Sequence, residues 1–182
     1  MPRNIEIKAR ITSVDALLPR ARELADTQPV LIEQDDSFFA VPQGRLKLRE
    51  FADGSAELIH YQRADGTAAK ASDYVRVPAP DPAALREALV RGCGLLGRVR
   101  KQRWLLLLGQ TRIHIDRVEG LGEFMELEVV LHEGQSDAEG QAIADALMQR
   151  LGLADAERIA GAYMDLLRAA VAQAPSAAGS QS

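Results

Sequence analysis

Cysteine is nearly absent from the 182-residue chain, which carries Cys93 alone. One thiol excludes an intrachain disulfide framework and any zinc cluster built from cysteines. No apolar run approaches the roughly 18 residues that a membrane-spanning helix takes; the longest leucine run, LLLL at 105–108, is far too short. The N-terminus lacks the basic, apolar and small-residue regions of a signal peptide. A surplus of positive charge is missing too: 22 Lys and Arg stand against 26 Asp and Glu, a net charge of -4. Nothing in the overall balance draws the chain to nucleic acid or to an acidic membrane. No internal repeat is present. These absences predict a cytoplasmic chain of one domain, long enough to bury a core.

The chain does carry alternation. In NIEIKARI, residues 4–11, Asn4, Glu6, Lys8 and Arg10 fall on one strand face and Ile5, Ile7, Ala9 and Ile11 on the other. A helix follows over Val14–Ala25, with Pro19 blurring its start. Residues 30–41 and 45–51 read as strands. ADGS at 52–55 turns the second into AELIHYQR, so that 45–63 forms a hairpin. RADGTAAKAS at 63–72 is a loop, and DYVRV a short strand. Asp81 caps a second helix with Pro82 at its first position. Strands RVRKQRWLLLL and TRIHIDRV come next, then EGLGE turns into FMELEVVL. Ser136 and Glu139 form the capping box of a third helix. A fourth, about 156–172, carries Ile159, Tyr163, Leu166 and Leu167 on one side. Residues 1–172 make up the domain, and 173–182 have a flexible tail's composition. Hairpins in place of regular strand–helix alternation predict an α+β fold built on an antiparallel sheet.

Splitting each strand by parity puts two or three charges on one side of nearly all of them. A sheet with one wet face and one helix-covered face explains that simply. The signs, however, segregate by strand. Carboxylates gather at 6, 116 and 126–128, and cations at 47–49, 63 and 101–103, where a surface shaped for solubility intersperses them. A closed antiparallel barrel, its helices packed outside and its charges inside, accounts for both patterns. Unpaired ions inside such a barrel cost several kcal/mol each, so a charged ligand is required. Carboxylate oxygens suit Mg²⁺ or Mn²⁺, and lysine and arginine suit phosphate oxygens. Away from these strands the residues read more plainly. His114 is a hydrogen-bonded filler, His60 and His132 lie outside, Cys93 is inert packing, and Arg98 and Arg100 are solvated. Trp104 covers outer helices or contacts a base, and Asp36 lines the interior at most.

Six segments together resemble the CYTH superfamily, the triphosphate tunnel metalloenzymes: NIEIK, RLKLR at 45–49, YQR at 61–63, KQR at 101–103, RIHID at 112–116 and GLGEFMELE at 120–128. The resemblance spans about residues 3–167. It implies a β-barrel tunnel in which Glu6, Asp116, Glu126 and Glu128 hold Mg²⁺ or Mn²⁺. Lys8, Arg10, Lys47, Arg49, Arg63, Lys101, Arg103 and Arg112 then hold a triphosphate, with Lys8 also the catalytic candidate. Its implied reactions are hydrolysis of tripolyphosphate or an organic triphosphate such as thiamine triphosphate, and cyclisation of ATP to cyclic AMP and pyrophosphate. Binding without turnover is a third reading, and a homodimer is left open. Two departures stand out: the family's ExExK begins here with Asn4, and residues 37–39 offer phenyl rings where some members have a tyrosine. On this reading the inward carboxylates crowd one another, and neutralising Glu126 relieves the crowding.

Overall fold

The computed structural model describes residues 3–62 and 73–173. The loop expected at 63–72, with Arg63, and the tail from 174 lie outside the described residues.

Eight strands form one antiparallel sheet: β1 (Asn4–Arg10), β2 (Val30–Phe39), β3 (Arg45–Phe51), β4 (Ala56–Gln62), β5 (Asp73–Pro78), β6 (Leu95–Leu108), β7 (Thr111–Val118) and β8 (Gly122–Val130). The helices are α1 (Val14–Leu24), α2 (Pro82–Cys93), α3 (Asp137–Arg150) and α4 (Tyr163–Gln173). Strand order across the sheet is β1-β8-β7-β6-β2-β3-β4-β5. The expected hairpin appears as β3 and β4, and β6, β7 and β8 form a meander. Local signals fix the helix starts. Ser13 caps α1 by accepting from the Ala16 N–H, Asp81 caps α2 through Ala84, and Ser136 with Glu139 forms a full capping box on α3.

Alternation sets the two faces as expected. Ile5, Ile7 and Ala9 of β1 pack with Ile113, Ile115, Met125, Leu127 and Val129 against Val14, Leu17 and Ala21 of α1 and Ala144, Leu147 and Met148 of α3. Helix α3 lies so close that a Cβ at Gly140 would meet Leu131 and Ile5 side chains at 2.5 and 2.6 Å. A second outer core joins Phe39, Leu48 and Ala56 to Leu85, Leu89 and Cys93 of α2. The opposite face carries the charges.

Three expectations change. The sheet is not closed by hydrogen bonds, since among the described residues β1 and β5 do not pair with each other. A closed barrel is therefore replaced by an open ladder with a charged concave face. The last helix begins at Tyr163 instead of 156. Residues 157–159 run along the free edge of β1, where Arg10 N–H donates to Glu157 O and Ile159 N–H to Lys8 O. Pairing with an exposed strand edge satisfies those backbone groups and removes them from a helix. Helix α4 also does not sit outside. Tyr163 and Met164 pack with Phe38, Val99, Val118 and Phe124 on the concave side, where Gly97 leaves room for Met164.

Candidate functional site

The concave face encloses a cavity of about 210 Å³ lined from several strands, Glu6 and Lys8 to Lys47, Arg49, Lys101 and Glu126 among them. Its charges divide into two walls.

The acidic wall is built by β1 and β8. Their register sets Glu6 opposite Glu128 and Lys8 opposite Glu126. Like charges directly across a ladder repel, and Asn4 answers this pair: its Nδ2 donates to Glu128 Oε1 at 2.6 Å and to Glu6 Oε1 at 3.4 Å. Arg112 Nη1 donates to Glu128 as well, at 2.9 Å. Glu126 accepts from Arg103 Nη2 at 3.0 Å. Burial works to raise the Glu126 carboxyl, but Lys8 and Arg103 outweigh it and hold the group well below the usual carboxylate range. The carboxylate is therefore stabilised by cations, contrary to the expected crowding, and neutralising it removes favourable interactions.

The basic wall is built by β2, β3 and β6. Asp36, 2% exposed, accepts from Lys47 Nζ at 2.9 Å and from Arg49 Nε and Nη2 at 2.7 Å each. Burial acts to raise Asp36, and Lys47 and Arg49 overcome it, holding the carboxyl far below its ordinary value. Burial lowers Lys47 to about 8, with Arg49 adding to it against Asp36. The Lys101 ammonium is pushed well below a lysine's usual range, by burial first and then by Arg103 and Arg49. Two cations thus share one carboxylate in a secluded place, with a third, Lys101, lining the same cavity.

Between the walls stands a third group. Asp116 is fully buried and accepts from Arg103 Nε at 2.7 Å, Arg103 Nη2 at 2.6 Å and the Tyr163 hydroxyl at 2.8 Å. Burial opposes the charge on both partners, yet Asp116 holds the guanidinium well above its ordinary value and Arg103 keeps the carboxyl below its own. His114, from the middle of β7, is brought down to about 3 by burial, with Arg103 beside it adding to the effect. The ring is neutral, and its buried Nδ1 has no hydrogen-bond partner among the described residues. Here it departs from the hydrogen-bonded filler expected. The chain from 157 to 165 crosses from wall to wall: Lys8 Nζ donates to Gly161 O at 3.2 Å, and Arg45 Nη2 donates to Asp165 at 2.6 Å.

The structure thus gathers Glu6, Lys8, Lys47, Arg49, Lys101, Arg103, Glu126 and Glu128 around one cavity, with Asp116 directly behind Arg103. Arg10 stays at the rim, its Nη1 on Leu121 O and its guanidinium over Phe124. Arg112 is half exposed and tied to Glu128. Sequence reasoning undervalued Asp36, Arg76 and Tyr163. The parity of β2 and β5 was the available signal for the first two, since Asp36 faces Arg49 across the ladder and Arg76 faces Ile59. Trp104 lies against the outer core. A larger outer cleft, about 650 Å³, runs between Glu33, Asp35, Arg100, Gln102 and Glu119. Asp35 there pairs with Arg100 and with the neighbouring Arg98, Arg100 also with Glu119, and Glu33 accepts from the Gln102 amide.

Among the described residues no three acidic or histidine side chains converge closely enough to hold an ion as they stand. The chemistry of the donors still fits a hard divalent cation. Glu6 and Glu128 are opposed carboxylates now bridged by an amide, and Asn4 offers a carbonyl oxygen besides. Asp116 fits less well, since a cation would have to displace Arg103 or Tyr163.

Comparison with known proteins completes the site's description. The sequence profile of the CYTH domain matches residues 2–163. No curated protein matches. Among solved structures, a protein from Pyrococcus horikoshii OT3 is 26% identical with a TM-score of 0.78, the alignment covering 90% of this chain and 99% of that one. A candidate adenylate cyclase from Vibrio parahaemolyticus is 22% identical, with a TM-score of 0.73 over 91% of this chain and 98% of its own. A candidate adenylyl cyclase from Hippeastrum, described as having a dominant triphosphatase activity, is 15% identical with a TM-score of 0.70 over 93% and 96%. The last two show a shared fold.

Proposed function

The chain belongs to the CYTH family, and from that premise and its concave face we propose that it is an enzyme that binds a triphosphate between the two walls and hydrolyses it. The observation that carries this reading is the convergence of Lys47 and Arg49 on the single carboxylate of Asp36, with the buried Lys101 beside them on the same cavity. Buried cations in excess of their partners destabilise the empty site and are relieved by a polyanion.

In this mechanism Lys47, Arg49 and Lys101 bind the phosphate chain through charge-assisted hydrogen bonds. Arg103, fixed by Asp116, presents its guanidinium toward the centre of the chain. Glu6 and Glu128, with Glu126 beside them, would hold a magnesium or manganese ion, which would supply charge neutralisation and Lewis acidity at the phosphates. Lys8, paired in register with Glu126, donates to an oxygen of the transferred group and is the residue assigned to help the nucleophile. Positioning and charge neutralisation supply most of the rate in such chemistry. Closure of the ladder into a tunnel around the polyanion belongs to the same proposal, as does action in the cytoplasm.

Phosphate release from tripolyphosphate, ATP and thiamine triphosphate, each with Mg²⁺ or Mn²⁺, tests the reading. Cyclic AMP and pyrophosphate from ATP identify a cyclase instead. One observation favours a binding module: Asn4 ties Glu6 and Glu128 together without adding charge. Tight tripolyphosphate binding with no product, and turnover gained in Asn4→Glu, would establish that alternative.

A further inference from the structure

Resting on the triphosphate reading, we propose that Tyr163 is a positioning residue of the site. Its ring face stations Lys8 and Lys101, and its hydroxyl, through Asp116, sets the angle of Arg103. Lys8 Nζ lies 4.3 Å from the Tyr163 ring centroid and Lys101 Nζ 5.3 Å from it. These lysines come from β1 and β6, strands with β8 and β7 between them, so no ladder contact holds the two ammoniums relative to each other. An aromatic face attracts an ammonium without neutralising it. A carboxylate in the same place would pair with each lysine and use up the charge that a phosphate needs. The ring keeps both lysines in place without supplying a counter-charge that a phosphate would have to displace.

The hydroxyl does a separate job. It donates to the same Asp116 oxygen that receives Arg103 Nη2. Arg103 Nη2 also reaches Glu126 at 3.0 Å, so the orientation of Asp116 decides which way the guanidinium leans. Tyr163 is itself well anchored. It is 6% exposed, packs on Phe124 with ring centroids 5.0 Å apart, and stands at the start of α4, where the Ala162 N–H donates to Asp165.

Two variants separate the two jobs. Tyr163→Phe keeps the ring and loses the hydroxyl, and Tyr163→Leu keeps an apolar filler and loses the π face. Two measurements serve: tripolyphosphate affinity by calorimetry without added metal, and kcat and KM with Mg²⁺. For Tyr163→Phe the affinity stays within about twofold of wild type while kcat falls about tenfold, the pattern of an interaction that matters after binding. For Tyr163→Leu the affinity weakens by about tenfold as well, from the loss of two cation–π seats. Equal affinity and equal kcat in all three proteins overturn the proposal. So does a loss of activity that follows only the loss of folded protein, with affinity and KM unchanged in both variants. If Tyr163→Leu fails to fold, the kcat of Tyr163→Phe decides. A wild-type protein that neither binds nor hydrolyses tripolyphosphate overturns the functional reading and this inference together. Wild-type binding with unaltered variants overturns the inference alone.

Discussion

The acidic and basic walls of the concave face arise from the same alternation of charged and apolar residues, and they handle charge differently. On β1 and β8 each carboxylate finds a partner within the chain: Glu6 and Glu128 share the Asn4 amide, Arg112 supports Glu128, and Arg103 supports Glu126. On β2, β3 and β6, among the described residues, Asp36 is the one carboxylate that answers Lys47 and Arg49, and Lys101 is pressed toward neutrality. The first wall is close to balance and the second is not. A binding site is marked by the imbalance, since a paired charge is already satisfied and an unpaired buried one is costly. The outer cleft shows the converse, being larger, with Asp35, Arg100 and Glu119 paired with one another.

The largest expected effect strikes the group between the walls. Asp116→Ala leaves Arg103 buried without its main partner and should cost about 3–5 kcal/mol of stability, measured by urea denaturation; a loss under about 1 kcal/mol would mean that Arg103 is held otherwise. Next comes a direct contrast. Arg49→Ala should raise KM for tripolyphosphate about ten- to a hundredfold, corresponding to the roughly 1.5–3 kcal/mol of a hydrogen bond to a charged group. Arg112→Ala, on the balanced wall, should shift KM by about twofold or less, since exposed pairs contribute little. Equal effects would erase the distinction between the walls.

A pH titration sharpens it further. In the free protein Lys47 loses its proton near 8, below a lysine's ordinary 10.5, chiefly through burial. Phosphate binding needs the ammonium, so kcat/KM, which reports the free enzyme, should fall as pH rises through about 8. Lys47→Arg should move that limb upward. Stability runs the other way: between about 8 and 10.5 the unfolded chain holds a proton that the folded one has released, so this lysine's contribution improves with rising pH. A modest loss of stability belongs to Glu126→Gln, which should destabilise the protein by roughly 1 kcal/mol because Lys8 and Arg103 favour the carboxylate. A stabilised variant in thermal melts would restore the idea of crowded acids.

Much of this was legible in the residues. Alternation in NIEIKARI, RLKLR and FMELEVVL placed Glu6, Lys8, Lys47, Arg49, Glu126 and Glu128 on one face, because the period of a strand is two and a one-residue error would invert the whole set. Capping residues located the starts of α2 and α3, while the Ser13 cap of α1 went unread. Other features depended on partners distant in sequence. Residues 157–159 have a helix-compatible composition, but the edge of β1 claims their backbone. Tyr163 looked like one apolar member of a helical stripe, since Asp116 lies 47 positions away. Asp36 carried no metal-ligand spacing, and its importance comes from two cations on β3 that only the register brings to it. Closure of the sheet depends on how its two edge strands meet, which no local pattern encodes.

The segment from Glu157 to Asp165 leaves the edge of β1 and reaches Arg45 on β3. A counted length of chain thus bridges the two walls, fastened to one through β1 and to the other through Arg45. One inserted residue could add up to about 3.5 Å to its reach, enough to replace a direct grip on an anion by one through water. Because Ala162 and Tyr163 of the same stretch line the cavity, a change in its length would reshape the cavity from one side.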